Sequence, residues 1–167
     1  MSDLFCQTGA FFSECRKYRY SLWRKWDARL GKMMFLMLNP STADENANDP
    51  TVERCQRRAK EIGYGGLVVC NLFAYRATQP EDMKRQADPV GPLNDQTILH
   101  EAKFADMVVC GWGEHGSHLG RSDAVVSLLH GAGVTLHCLR TNRSGQPQHP
   151  LYVSYNQKPV LYREEAG

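Results

Sequence analysis

The chain has 167 residues, 42% of them hydrophobic and 23% charged, the balance expected of one globular domain with room for its own core. No run approaches the roughly 20 apolar residues that cross a bilayer. The opening MSDLFCQTGAFFSEC carries Asp3 and Glu14 with no basic n-region, so neither a membrane partner nor a signal peptide is expected. A formal net charge of only +2 excludes a global basic field for nucleic acid.

The charge is nonetheless uneven. Residues 1–32 hold seven Lys/Arg against Asp3, Glu14 and Asp27, and a second cluster follows at Arg54, Arg57, Arg58 and Lys60. Either could meet phosphates or be a solvated face. Within the basic N-terminal segment, RYSLWRKW (Arg19–Trp26) reads as an edge strand or hairpin. Residues 33–162 then read as an α/β core in the same domain. Short apolar runs give strands at Met33–Leu38, Leu67–Leu72, Met107–Gly111 and Val134–Leu139. Between the first two, Asp49 and Pro50 supply an N-cap and a first helical residue, Val52, Cys55, Ala59 and Ile62 fall on one face, and Gly63 ends the helix. Pro92–Phe104 and Arg121–His130 read as further helices, and KPVLY (Lys158–Tyr162) as a last short strand. The order β-α-β-α-β-α-β with near-continuous apolar strands predicts a mostly parallel sheet covered by helices on both faces, a three-layer α/β/α fold. Six scattered cysteines without a C-x-x-C pair predict reduced, mostly buried thiols and a cytoplasmic location, with no metal site among them.

In such a sheet, ligands bind beyond the carboxyl ends of the strands. Those ends can be read directly. The first core strand empties into Asn39, Pro40, Ser41, Thr42 and Asp44; the second into Asn71, Phe73, Tyr75, Arg76 and Thr78. The third empties into Trp112, Glu114, His115 and His118, and the fourth into Arg140, Thr141, Asn142, Arg143, Ser144, His149 and Tyr152. The returns at the opposite edge, Gly63–Gly66 and His130–Gly133, are short and plain. Asparagine has low strand propensity, yet Asn39 and Asn71 both close apolar strands. An amide offers two donors and an acceptor, enough to read a nucleobase edge or orient a water, although either residue could instead tie adjacent loops together. Phe73, Tyr75 and Trp112 could stack a base or lie in the core. The segment STADENANDP also holds enough Asn and Asp to build its own turns.

Several chemistries are not supported. No P-loop or G-x-G-x-x-G follows a strand, so no nucleoside-triphosphate or dinucleotide cofactor is implied. His115 and His118 form an H-x-x-H pair without a helix or third ligand. Ser41 and Ser144 lack a nucleophile-elbow context.

The stretches RYSLWR, LMLNPSTAD, DPTVERC, NLFAYRAT, GWG and HPLY closely resemble domain-of-unknown-function family 1643. More distantly, the strand-end Asn39-Pro40 in LMLNPST and Asn71 in LVVCNLFAYRA resemble the motifs of the uracil-DNA glycosylase superfamily, an α/β/α fold whose members excise bases from DNA. That resemblance implies that Asn39 positions the attacking water, and an N-glycosidase reading adds the nearby Asp44 to that role. The resemblance implies that Asn71 reads the base edge; Pro40, Ser41, Thr42, Phe73, Tyr75, Arg76 and Trp112 are substrate-binding candidates by their place at the strand ends. Arg140, Thr141, Asn142, Ser144 and His149 would then stand where the superfamily's last motif holds phosphate and the leaving base. The chain departs from the superfamily in having Leu36 or Met37 where a glycine is usual, and in a last motif that does not match cleanly. Three functions stay open: an N-glycosidase acting on DNA or a nucleotide, a non-catalytic nucleic-acid or nucleotide binding module, and a small-molecule enzyme of nucleotide metabolism. None implies a cofactor.

Overall fold

A computed structural model describes residues 6–163; Asp3, on which the leader reading partly rested, lies outside them. A seven-stranded sheet runs through the protein, built from β1 (Gln7–Phe12), β2 (Arg19–Lys25), β3 (Lys32–Met37), β4 (Gly66–Asn71), β5 (Met107–Cys110), β6 (Leu136–Cys138) and β7 (Val160–Leu161). Their order across it is β1-β2-β4-β3-β5-β6-β7. The four inner strands β4, β3, β5 and β6 are parallel, while β1, β2 and β7 run antiparallel to their neighbours.

The helices are α1 (Pro50–Ile62), a short α2 (Pro80–Lys84), α3 (Asn94–Phe104) and α4 (Arg121–Gly131). Strand alternation divides the core between them. Met33, Phe35 and Met37 of β3 bury against Val52, Cys55 and Ala59 of α1. Met34 and Leu36 bury on the other face with Ile98 and Ala102 of α3 and Val125, Val126 and Leu129 of α4. From β3 the chain therefore steps one way to β4 over α1, then returns past β3 to β5 beneath α3, and on to β6 beneath α4. Right-handed crossovers require this change of face when the direction of stepping reverses. The reversal puts the topological switch point at the carboxyl ends of β3 and β5.

Sequence and structure agree closely where capping chemistry is strong. Asp49 is the N-cap of α1, its Oδ1 accepting from the Val52 N–H at 2.9 Å. Gly63 ends the helix at φ 113°, a left-handed conformation open to glycine at little cost. The predicted Arg19–Trp26 element is β2, which forms an antiparallel hairpin with β1, so the hairpin alternative holds and β2 is not the edge. Val134–Leu139 shortens to three residues, and the Pro92 helix begins at Asn94. Among the described residues all six cysteines are free: Cys55, Cys70, Cys110 and Cys138 are buried, Cys6 half-buried and Cys15 exposed. No helix among them is long and apolar enough to cross a membrane.

Candidate functional site at the carboxyl ends of β3 and β4

Met37 and Asn71 are register partners where β3 and β4 end side by side. The chain beyond each strand stays paired for two more residues, through Leu72 N–H to Met37 O and Phe73 N–H to Leu38 O at 2.8 and 3.0 Å. A cleft of about 400 Å³ opens over these ends on the α1 face, within the range of small-ligand sites. Asn39, Pro40, Ser41 and Thr42 line one side, Thr78 and the start of α1 another, and His149 with Tyr152 a third.

The loop between β3 and α1 is shaped by arginines and by its own side chains. Asn39 Nδ2 donates to Ala77 O at 2.8 Å and to Pro40 O at 3.2 Å, tying the two strand-end loops together. This fixes the amide with its Oδ1 free of donors among the described residues. Asp44 Oδ1 accepts from the Asn46 and Ala47 N–H groups, both at 2.8 Å, which holds the carboxyl below its ordinary range. Arg24, 3% exposed, donates to Asp44 O, Ala47 O and Asn48 Oδ1. The polar run after β3 thus makes its own turns and also borders the cleft.

The third wall is brought in from far along the chain. His149, Pro150 and Tyr152 pass over the end of β5, where a Cβ on Gly111 would lie 2.9 Å from Pro150 Cδ. Arg54 of α1 donates to Pro150 O and Val153 O, and Arg58 to Val153, Ser154 and Gln157 carbonyls, while Tyr155 stacks beneath their guanidinium groups. The second basic cluster is therefore in good part a clamp on this segment rather than a free phosphate surface. Leu151 N–H donates to His149 Nδ1 at 3.2 Å, which leaves the ring proton on Nε2. Burial lowers the His149 pKa to about 4, so the ring is a neutral Nε2–H donor at ordinary pH. The Tyr152 ring, 74% exposed, is tilted against it with centroids 5.9 Å apart.

Two side chains in this cleft carry unmet hydrogen-bonding capacity. Asn71 is 1% exposed, and its Nδ2 has no acceptor among the described residues. Its backbone carbonyl accepts from the Asn94 amide at 2.9 Å. Arg19 is 2% exposed, donates through Nη1 to Ala43 O at 3.0 Å, and leaves Nε unpaired among the described residues. Burial lowers its pKa to about 10, opposed chiefly by Asp49.

Other predicted site residues lie elsewhere. Phe73 is fully buried in the α3–α4 core. Trp112 is buried with its Nε1–H donating to Gln146 Oε1 at 2.7 Å. Tyr75 meets Tyr18 edge-on at 5.8 Å, and Arg76 lies over Phe12 while donating to Arg16 O. None of the four lines the cleft. The β6 loop closes on itself: Asn142 Oδ1 accepts from Ser144 N–H, Ser144 Oγ and Gln146 N–H, and Thr141 bridges Pro147. Arg140, Thr141, Asn142 and Ser144 therefore stand outside the cleft, as does Asp44. His115 Nδ1 lies 2.8 Å from Lys84 Nζ, and the His118 ring is tilted against Phe73 with centroids 5.6 Å apart. No group of three His, Cys, Asp or Glu among the described residues could hold a metal ion. The residues missed by sequence reasoning are Arg19, counted only as part of a basic segment, and Asp49, read only as a cap.

No curated protein and no solved structure matches the chain. The model of a family described as a protein of unknown function (DUF1643) matches residues 19–151, from the first residue of β2 to the His149–Tyr152 wall, and the chain belongs to that family.

Proposed function

We propose that the cleft binds a nucleobase with its sugar and cleaves the N-glycosidic bond between them by hydrolysis. The observation that carries this reading is the convergence of Asn39, Asn71 and His149 on one cleft with complementary free groups. Asn39 Oδ1 accepts a hydrogen bond from a water and aims its oxygen at C1′. An amide is not basic enough to take the proton, so it serves by orientation. The C1′–N bond breaks first, with oxocarbenium character at the sugar and the electron pair passing to the base nitrogen. The neutral His149 Nε2–H donates a hydrogen bond to the negative charge that develops on the base. Water then adds to C1′, its proton leaves to solvent, and the base nitrogen is protonated. Asn71 Nδ2 is a donor for an acceptor on the base edge, and Tyr152 presents a ring for stacking.

The distant motif likeness to the uracil-DNA glycosylase superfamily supports the same assignment at Asn39-Pro40 and Asn71; of the last-motif candidates only His149 lines the cleft. The test is base release from single- and double-stranded oligonucleotides and from free nucleotides carrying uracil, mismatched thymine and modified pyrimidines. The wild-type protein should release a base from one of these. Asn39→Ala should cut turnover by about 100-fold or more while binding changes little. Binding without release would make the cleft a recognition module, and neither would remove nucleobases from consideration.

A further inference from the structure

Arg19 is not needed for the chemistry above, and its environment asks for something else. A guanidinium has five N–H donors and no acceptor, and this one stays charged at ordinary pH. Here it is 2% exposed, with one hydrogen bond, to Ala43 O. Its Nε has no acceptor, and it forms no ion pair among the described residues. Asp49 is the carboxylate that attracts it most, but both Asp49 oxygens are already engaged, by the Val52 and Ala43 N–H groups. Arg76 adds a like charge nearby, and its own Nε is buried without a partner. A buried cation left this far from satisfied is costly unless an acceptor arrives from outside.

We infer that Arg19 is the base of an anion subsite that takes a terminal phosphate of the substrate, so that the cleft selects a phosphorylated nucleotide over the corresponding nucleoside. Arg19 shares the cleft with the hydroxyl-bearing Ser41, Thr42, Thr51 and Thr78. Ser41 Oγ and Thr78 Oγ1 stand 3.5 Å apart, a long contact that leaves both able to bind oxygen elsewhere. The α1 N-terminus in the same wall is already capped by the Asp49 carboxylate, with Pro50 lacking an N–H, so the subsite rests on Arg19 and these hydroxyls. Two phosphate oxygens would match the unpaired Nε–H and the adjacent Nη2–H of the fork. Because the guanidinium is buried, an internal phosphodiester, with chain leaving on both sides, cannot reach it. A terminal phosphate monoester, on a free nucleotide or on the end of a strand, can. The substrate class rests on the nucleobase reading of the same cleft; the phosphate contact does not depend on the glycosidic step.

The experiment uses the full chain and observes arginine Nε–H signals by NMR, with Arg19 identified by the signal that Arg19→Lys removes or, should that variant fail to fold, by backbone-linked assignment. Inorganic phosphate should shift the Arg19 signal. Across the four common nucleoside 5′-monophosphates and their nucleosides, at least one monophosphate should bind about tenfold or more tightly than its nucleoside. A folded Arg19→Lys should lose that preference. An unmoved signal, equal binding of nucleoside and nucleotide, or an undiminished preference in Arg19→Lys would each overturn the subsite. A short oligonucleotide with and without a 5′-phosphate separates the two sources: phosphate-dependent binding supports a strand end, and equal binding of the two forms, with the monophosphate preference kept, supports the free nucleotide. Phosphate-dependent binding with no base release would leave the subsite standing while removing the glycosidase. Base release indifferent to the phosphate would do the reverse.

Discussion

The two ends of the parallel strands each carry a hollow, and the larger is the less eloquent. At the amino ends a cavity of about 460 Å³ is bordered by Trp23, Lys32, Gly66, Glu101 and Asp106. Lys32 Nζ lies 3.7 Å from Glu101, and the Lys32 N–H donates to Asp106 Oδ2 at 2.8 Å. None of its lining side chains has a buried polar atom without a partner among the described residues. At the carboxyl ends the cleft is about 400 Å³, yet Arg19 Nε and Asn71 Nδ2 are both buried and unpaired there. Buried polar groups are nearly always satisfied in folded proteins. Volume alone therefore does not distinguish a site from a surface hollow; two unpaired buried groups lining one cleft do, whereas Arg58 Nε, Arg76 Nε, Asn94 Oδ1 and His137 Nδ1 are unpaired outside it among the described residues.

That contrast can be broken by changing one end and watching the other. The largest effect on the fold is expected from Arg58→Ala, which strips carbonyl partners from Val153, Ser154 and Gln157 and unclamps the His149–Tyr152 wall. Urea unfolding should show a loss of about 3 kcal/mol, and ligand binding in the cleft should weaken with it. Undisturbed binding would mean that α1 does not position that wall.

An intermediate effect concerns pH. The folded pKa of His149, about 4, lies below the ordinary value of 6.5, so the unfolded chain binds the proton more readily. Its contribution to stability is therefore fully present above about 6.5 and is lost as pH falls from there through 4. His149→Gln should flatten the stability profile across that window. In the wild type, the ring resonances should titrate near 4 and base release should persist at pH 5. A midpoint near 6.5 would contradict the buried, neutral ring. The smallest effect is expected at the opposite end: Lys32→Met breaks a part-exposed pair and should change stability by no more than about 0.5 kcal/mol, with no change in cleft binding.

The same contrast explains what could be read from the amino acids. The inner strands were legible because their apolar runs are buried on both faces, and α1 because Asp49, Pro50 and Gly63 mark its ends chemically. The edge strand β1 was not delimited: QTGAFF has neither a β-branched run nor strict alternation, and it is held by pairing with β2. At the site, Asn39 and Asn71 stood out as amides where strands want apolar residues. Phe73 and Trp112 carry the same local signal as a stacking aromatic, and only the packing of α3, α4 and Tyr162 around them makes them core. Arg140 and Asn142 looked equipped for binding because a turn that satisfies itself uses the same residue types as a site. Arg19 was invisible as a site residue, since its burial depends on a loop more than twenty residues away in sequence, at Ala43.

The most direct test of the central claim is Asn71→Leu, an apolar replacement of similar size, with thermal melting and cleft binding measured on the same sample. If the buried Nδ2 is kept unpaired for a ligand, melting should stay level or rise, because a costly unpaired amide is gone, while binding weakens about tenfold or more. A melting temperature several degrees lower with binding intact would show that Asn71 serves the fold and not a ligand, and would contradict the account.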